Sequence, residues 1–514
     1  MPRTIDSTIP SLDKIQSFTK EDLQGKLPLP FQTLPSSSCQ TLPETALHEI
    51  KSIVAVLEQH DIDSSLSSKE EDALDDGFIL CDLNVIQRKL TAWYTMFPRI
   101  KPFFALKCNP DHMVAHVLGL NPDCGFDCAS ISEIKLALSS TGGDTRRCVY
   151  ANPQRARDDL DQSLDLGTGA LTFDGLEELH KVKDAYERRV ERSREDEHGQ
   201  KGESLDSLQI PLPPQMILRI LVPDEHSSVP LGEKFGAPPD RVQILTEEAF
   251  KLGLDVIGVS FHCGSGCHDA NAYGDAIRIA KDAIDVINNV IRTWNSSDGK
   301  DRQECTLLDI GGGYPGIDAV GADTHRFTST GGSDLNIADY NDNGDDGKAT
   351  TYQISTIVTP LLDDLFPPDE SPIRIISEPG RYFVEAAFVY CARIYSVKEE
   401  DQDGRRHYYI AQGVHGLFKD VLLCDESFTP TPLMINYENG GASLDTKRSD
   451  EQDFDSVVHG PSGEDFDIVC KDCKLPKLSI GDFLIFDRMG AYTLSIAARN
   501  SSLPARYVFG GGER

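Results

Sequence analysis

Eight short runs rich in β-branched and aromatic residues recur between residues 103 and 380, with helical patterns in the gaps. They are FFALKC (103–108), GFDCAS (125–130), CVYANP (148–153), GALTFD (169–174), MILRILVP (216–223), VIGVSFH (256–262), TLLDIGGG (306–313) and IRIISEPG (373–380). Continuous apolar runs of this length read as strands covered on both faces, the condition of a parallel sheet flanked by helices. The intervening SEIKLALSS, GLEELHKVKDAYERRVERS, TEEAFKLGL and YGDAIRIAKDAIDVINNVIRTW carry helical apolar spacing. Eight strands in this alternation favour a closed (β/α)8 TIM barrel, with an open doubly wound sheet as the alternative.

After Arg381 the pattern changes. FVYCARIYSVKEE, RRHYYIAQG, DFLIFDRMGAYTLSI and ARYVFGG read as strands with little helix between them. A C-terminal, mostly antiparallel β domain is expected there, joined by FILCDL (78–83). The expected division is an N-terminal arm and helix (1–75), a barrel (76–382) and a β domain (383–514). Segments 191–207, 329–350 and 437–456 have the composition of solvated surface insertions.

A net charge of −33 over 514 residues argues against nucleic acid or an anionic membrane as partner. The N-terminus has no apolar core of signal-peptide length, and no run approaches a membrane span. Thirteen cysteines without framework spacing fit reduced thiols in a cytoplasmic protein. The single C-x-x-C, Cys470 to Cys473, has no second pair, so no metal site is expected.

In a barrel of this type the chemistry gathers at the C-terminal ends of the strands. Lys107, Asp127, Arg219, His262, Gly311 to Gly313, Glu378 and Arg381 all fall at such ends. Each alone has a bland explanation: Lys107 snorkels to water, Asp127 caps a helix, His262 is a satisfied core histidine, Arg219 is a barrel salt bridge. Converging on one rim, they are better explained as a site. A lysine placed after a buried run is also positioned to have its pKa lowered and to form a Schiff base. DIGGGYPG supplies backbone N–H groups for an anion nest, Arg381 a guanidinium fork, and HCGSGC adds Ser265 between two glycines. No G-x-G-x-x-G follows the first strand, so the phosphorylated cofactor indicated is pyridoxal 5′-phosphate rather than NAD. Glu378 would keep a pyridine nitrogen protonated, which suits loss of a group from Cα and disfavours a racemase.

PFFALKCN, GFDCAS, VSFHCGSGC, LDIGGGYPG, EPGRYF and MGAYT, in this order, resemble the eukaryotic ornithine decarboxylase-like family. The similarity runs from about residue 75 to 509. It implies an alanine racemase-like (fold type III) barrel plus β domain, acting as a homodimer whose active sites lie at the subunit interface. By that resemblance Lys107 carries the cofactor, Glu378 faces the ring nitrogen and His262 stacks on the ring. Ser265, Gly311, Gly312, Gly313, Arg381 and Tyr492 hold the phosphate. Asp127, Glu133 and Arg219 form the surrounding charged network, and Lys234 with Asp467 forms an intersubunit pair.

The substrate end departs from the family pattern. Where C-D-x-x-D is usual the chain reads GPSGEDFDIV, which puts Gly463 in place of the cysteine and Glu464, followed by Asp465, in place of the aspartate. Where N-D-G-V-Y-G is usual it reads AQGVHG, with Gln412 for the second aspartate and His415 for the tyrosine. Removing one partner of a buried charge costs about 3 kcal/mol or more, on the order of a hundredfold in binding. The expected reaction is decarboxylation of a small basic or polar L-amino acid within polyamine biosynthesis, L-ornithine to putrescine being the first candidate. Two alternatives stand beside it. Without the cysteine acid, protonation at the cofactor's imine carbon would give an aldehyde and pyridoxamine phosphate unless His415 takes over, and Gly463 thus motivates a second enzyme reading, decarboxylation coupled to oxidative deamination. A non-catalytic regulatory homologue is the other.

Overall fold

In the computed structural model the described residues are 77–199, 211–232, 234–267, 269–299, 301–316, 349–399, 404–424, 426–438, 441–445, 453–497, 503 and 505–508. The N-terminal arm and the insertion at 317–348 lie outside them. The described residues fall into two compact units, one running from Lys89 to Tyr382, the other formed by residues 77–88 and those from Phe383 onward.

The first unit is a closed barrel of parallel strands: β1 (Ile100–Ala105), β2 (Gly125–Cys128), β3 (Cys148–Tyr150), β4 (Ala170–Phe173), β5 (Gln215–Arg219), β6 (Asp255–Ser260), β7 (Leu307–Asp309) and β8 (Arg374–Ser377). β8 pairs back onto β1, with Ile375 opposite Ile100, which excludes the open doubly wound sheet. All eight expected strands form, and the first starts three residues earlier and ends at Ala105, leaving Lys107 in the following turn. Closure packs Phe103, Val149, Ala151, Ile217, Leu307 and Ile376 into one interior cluster.

Helices return the chain from each strand to the next. α1 (His112–Gly119) starts where the Asp111 carboxylate accepts from the Met113 and Val114 N–H groups. α2 (Ile131–Ser140) starts at Ser130, and α3 (Arg157–Asp165) and α4 (Leu176–Gly199) follow. After α5 (Val242–Lys251), α6 (Ala270–Asp298) is capped by Asp269 and ended by Gly299 at φ +69°, a left-handed turn that glycine adopts without strain. α7 (Thr351–Leu365) opens with a capping box between Thr350 and Gln353. α4 extends into the 191–207 segment expected as loop, because its acidic and basic residues continue a helical pattern rather than break it.

The second unit is a nine-stranded sheet in which Phe78–Asp82 pairs antiparallel with Phe388–Lys398 and parallel with Ala505–Val508. The FILCDL segment is therefore part of this sheet. Most pairs are antiparallel, and Arg406–Ile410 runs parallel to Phe454–His459. The segment 437–456, expected as loop, contains the strand Gly441–Asp445 paired with Thr431–Glu438. Its polar sequence is compatible with an edge strand that needs no buried face. No helix among the described residues is long and apolar enough to cross a membrane.

Candidate active site

The C-terminal mouth of the barrel gathers most of the expected residues. Side chains alternate along a strand, so the Phe103 face of β1 continues to Ala105 and the Ile376 face of β8 continues to Glu378. Lys107 follows in a tight turn closed by Cys108 N–H donating to the Ala105 carbonyl. Its ammonium donates to Asp127 Oδ2 at 2.8 Å, from the end of β2. Asp127 is fully buried, and its Oδ1 has no partner among the described residues.

Two further acids stand in the same mouth. Asp309, at the end of β7, accepts from the Gly311 N–H at 2.9 Å. Burial pushes its pKa up to about 7, with the charge of Asp127 adding to the effect. Burial, followed by the charges of Asp127 and Asp309, holds Glu378 well above the carboxylate range. Sequence reading did not single out Asp309. The signal was its position two residues past the interior Leu307, on the same strand face.

His262 follows β6. Its Nδ1 accepts from the Gly264 N–H at 3.0 Å, which leaves the ring proton on Nε2. Burial, with Lys107 and Arg219 nearby, holds its pKa well below the histidine range, so the ring is neutral. Arg219, at the end of β5, lies over the Phe235 ring at 4.9 Å. Glu133 sits at the first turn of α2, where it accepts from Ala129 N–H at 2.7 Å and from the Ser130 hydroxyl. It caps that helix and feels the Lys107 charge, while burial raises its pKa.

The glycine run after β7 is held open by close approaches. A Cβ on Gly311 would stand 2.1 Å from the Phe261 carbonyl oxygen, and one on Gly312 would stand 2.5 Å from the Glu378 carbonyl and 2.9 Å from His262 Nε2. Gly311 and Gly313 have φ of +66° and +101°. The carbonyls of the run face the protein: Gly311 O accepts from Glu378 N–H, Gly312 O from the Tyr273 hydroxyl, and Gly313 O from Cys267 N–H. The N–H groups of Gly312 and Gly313 have no acceptor among the described residues, the condition of an anion nest. Ser265 lies in a short strand (Ser265–Cys267) paired with Ser227–Val229, and Arg381 opens the short helix after Glu378.

These groups fit pyridoxal phosphate. The nest and Arg381 suit its phosphate, Lys107 its aldehyde, and the surplus of buried acid at Asp127, Asp309 and Glu378 suits its cationic nitrogen atoms.

Apart from Lys234, the remaining predicted residues lie in the second unit. Tyr492 has a φ of +54°, a conformation uncommon for a bulky residue and one that marks functional loops. Gln412 is buried, and its Oε1 has no hydrogen-bond partner among the described residues. His415 Nε2 meets Glu464 Oε2 at 2.5 Å, so the two residues that replace the family tyrosine and aspartate contact each other. Asp465 is exposed, and nothing lies within 4 Å of a Cβ built on Gly463.

Asp467 was expected to pair with Lys234 across an interface. Lys234 is exposed, but Asp467 is 2% exposed and its carboxylate accepts from Val414 N–H at 2.8 Å and Ser462 N–H at 2.9 Å. Gly413 and Gly460 make room for it, since a Cβ on either would overlap Oδ1. Its carboxylate thus holds together the two loops that carry Gln412, His415 and Glu464.

Residues 83–385 match the family model of the pyridoxal-dependent decarboxylase, pyridoxal binding domain. The ornithine decarboxylase of Mus musculus is 30% identical over 436 residues, covering 82% of this chain and 78% of that protein. Antizyme inhibitor 2 of Xenopus laevis is 32% identical over 435 residues, with the same coverage. Among solved structures, the arginine decarboxylase of Paramecium bursaria Chlorella virus superposes with a TM-score of 0.65 at 27% identity, covering 86% of this chain and 97% of that one. With a lysine, an anion nest and a buried acid cluster at one barrel mouth, the chain belongs to the pyridoxal-dependent decarboxylase family, whose cofactor is pyridoxal 5′-phosphate.

Proposed function

We propose that this enzyme decarboxylates a small L-amino acid with a basic or polar side chain, acting as a homodimer, with L-ornithine as the first candidate. The cluster of Lys107, Asp127, Asp309 and Glu378 carries the reading. When bound, pyridoxal phosphate supplies an electron sink for the pair left on Cα as carbon dioxide departs.

The residues of the chain do the rest. Asp127 fixes the Lys107 amine beside the strand end, and Gly311 to Gly313 with Arg381 fix the phosphate. Glu378, whose burial favours the protonated form, would hold a proton toward the ring nitrogen of a bound cofactor. His262 presents a neutral ring face. The balance of the reaction is loss of the Cα–carboxylate bond and return of one proton to Cα, giving an amine and carbon dioxide.

At the distal end of the substrate we assign Gln412, Glu464 and Asp465. The unpartnered Gln412 oxygen favours a hydrogen-bond donor, while the Glu464 carboxylate is already engaged by His415. This set holds a full ammonium less tightly than two free carboxylates, so a shorter or neutral polar side chain competes well with ornithine.

Gly463 favours a second outcome, because the position that bears the acid in relatives is here empty space. Proton return to the wrong carbon, followed by hydrolysis by one water, would then give an aldehyde, with the amino group left on the cofactor. His415, oriented by Glu464, is the acid we assign against that loss.

The test is turnover of a panel of L-amino acids, including ornithine, lysine, arginine and diaminobutyrate, by the cofactor-loaded protein, with products identified by mass spectrometry. An amine from one member is expected. An aldehyde supports the second outcome. No product, despite an imine absorbance that depends on Lys107, would overturn the catalytic reading in favour of a regulatory homologue.

A further inference from the structure

The alternation that gathers acids at one end of the barrel gathers cations at the other. Phe103, Val149, Leu307 and Ile376 form the apolar layer inside the barrel. Two residues onward in the chain from Leu307 and Ile376 stand Asp309 and Glu378, at the catalytic mouth. Two residues back from Phe103 and Ile376 stand Lys101 and Arg374, on the same strand faces but at the N-terminal mouth, and Arg147 stands in the helical turn just before β3. A cleft of about 200 Å³ opens there. Its lining includes Lys101, Arg146, Arg147 and Arg374 against only Asp123 and Asp144, a local excess of positive charge in a chain whose net charge is −33.

Two of these cations are compensated. Lys101 meets Asp123 at 2.5 Å, and Arg146 meets Asp144 at 2.8 Å. Arg147 donates to the carbonyls of Gly119, Asn121 and Cys124, so its charge is met by dipoles rather than by an acid. Arg374 has no carboxylate partner among the described residues. Its guanidinium lies 5.9 Å from the centre of the Phe103 ring, which also lines the cleft, and the residue is exposed to solvent. Partial desolvation still lowers its pKa, the effect a bound anion would oppose.

We propose that this cleft binds a small doubly charged oxyanion, with Arg374 as its principal ligand and Arg147 and Lys101 adding charge. The planar fork of an arginine suits two oxygens of a phosphate or a carboxylate. At about 30 Å³ per water, the cleft has room for a phosphate-sized ion and part of its hydration shell. The apolar layer separates it from the phosphate nest at Gly312 and Gly313, so occupancy of one does not require the other.

The test uses calorimetric titration of the cofactor-loaded protein with inorganic phosphate, and separately with succinate, at ionic strength fixed with sodium chloride. One-site saturable binding of either probe is expected, and the better probe identifies the oxyanion class. Arg374→Gln should weaken it tenfold or more, and Arg278→Gln, at an exposed arginine on α6, should leave it unchanged. Arg374→Lys keeps the charge and loses the fork, and should weaken binding severalfold even if the glutamine variant folds poorly. The absence of saturable binding by either probe, or equal affinity in the wild type and both Arg374 variants, would overturn the proposal.

Discussion

The Lys107 ammonium lies 2.8 Å from a fully buried Asp127 carboxylate whose second oxygen has no partner among the described residues. A lysine that only snorkelled to water would have no use for such a partner. Asp127→Asn should therefore leave the amine less well held and the buried cluster less acidic. Cofactor affinity is expected to fall about tenfold or more, the scale of one buried charge-assisted hydrogen bond. Fluorescence titration of the apo protein with pyridoxal phosphate reads this directly. Lys107→Ala should abolish the imine absorbance and reduce turnover by roughly a thousandfold or more.

The acid cluster gives the cofactor-free protein an unusual pH dependence. Asp309 and Glu378 have pKa values raised in the folded state, Asp309 to about 7, by burial and by the neighbouring acids, with Lys107 opposing. Between the unfolded value near 4 and the folded value, the native state binds more protons than the unfolded state. Stability contributed by these protons is present at low pH and is lost as pH rises to about 7. Urea titrations of the apo protein at pH 5 and pH 7.5 should show the loss, on the order of a few kcal/mol. Asp309→Asn should flatten the slope.

Gly312→Ala tests the nest. The added methyl would meet the Glu378 carbonyl at 2.5 Å and His262 Nε2 at 2.9 Å, so the backbone must move. Retention of pyridoxal phosphate through dialysis should fall at least about tenfold, the consequence of misplacing anion-binding N–H groups by a fraction of an ångström. Unchanged retention would remove Gly312 from the phosphate site.

Asp467→Ala removes one carboxylate from two loops and leaves the Val414 and Ser462 N–H groups without an acceptor. A loss of about 2–3 kcal/mol is expected in chemical denaturation. If the carboxylate positions these loops for substrate, KM should rise more than kcat falls. An effect on dimer affinity alone would favour the intersubunit role instead.

Gly463→Cys occupies space in which nothing lies within 4 Å, so stability should change by less than about 0.5 kcal/mol. The ratio of amine to aldehyde should rise. An unchanged ratio would mean that Gly463 is not where the proton donor is missing.

The sequence by itself determined the barrel, because buried parallel strands demand apolar runs and helices between them leave a distinct period. It also placed Lys107, His262, the glycine run and Glu378 at strand ends, since in this fold the position along a strand is the position in the site. The resemblance located the departures at Gln412, His415, Gly463 and Glu464. Tertiary structure alone decided the rest. Asp309 looked like one more residue before a turn until closure of β7 beside β8 set it next to Glu378. Asp467 entered as half of an intersubunit pair with Lys234, and only folding showed its carboxylate buried against Gly413 and Gly460 within one chain. The contact of His415 with Glu464 joins residues 49 apart in the chain. Proton affinity, ion pairing and burial depend on distance and solvent exclusion, which strand pairing sets and which spacing along the chain does not record.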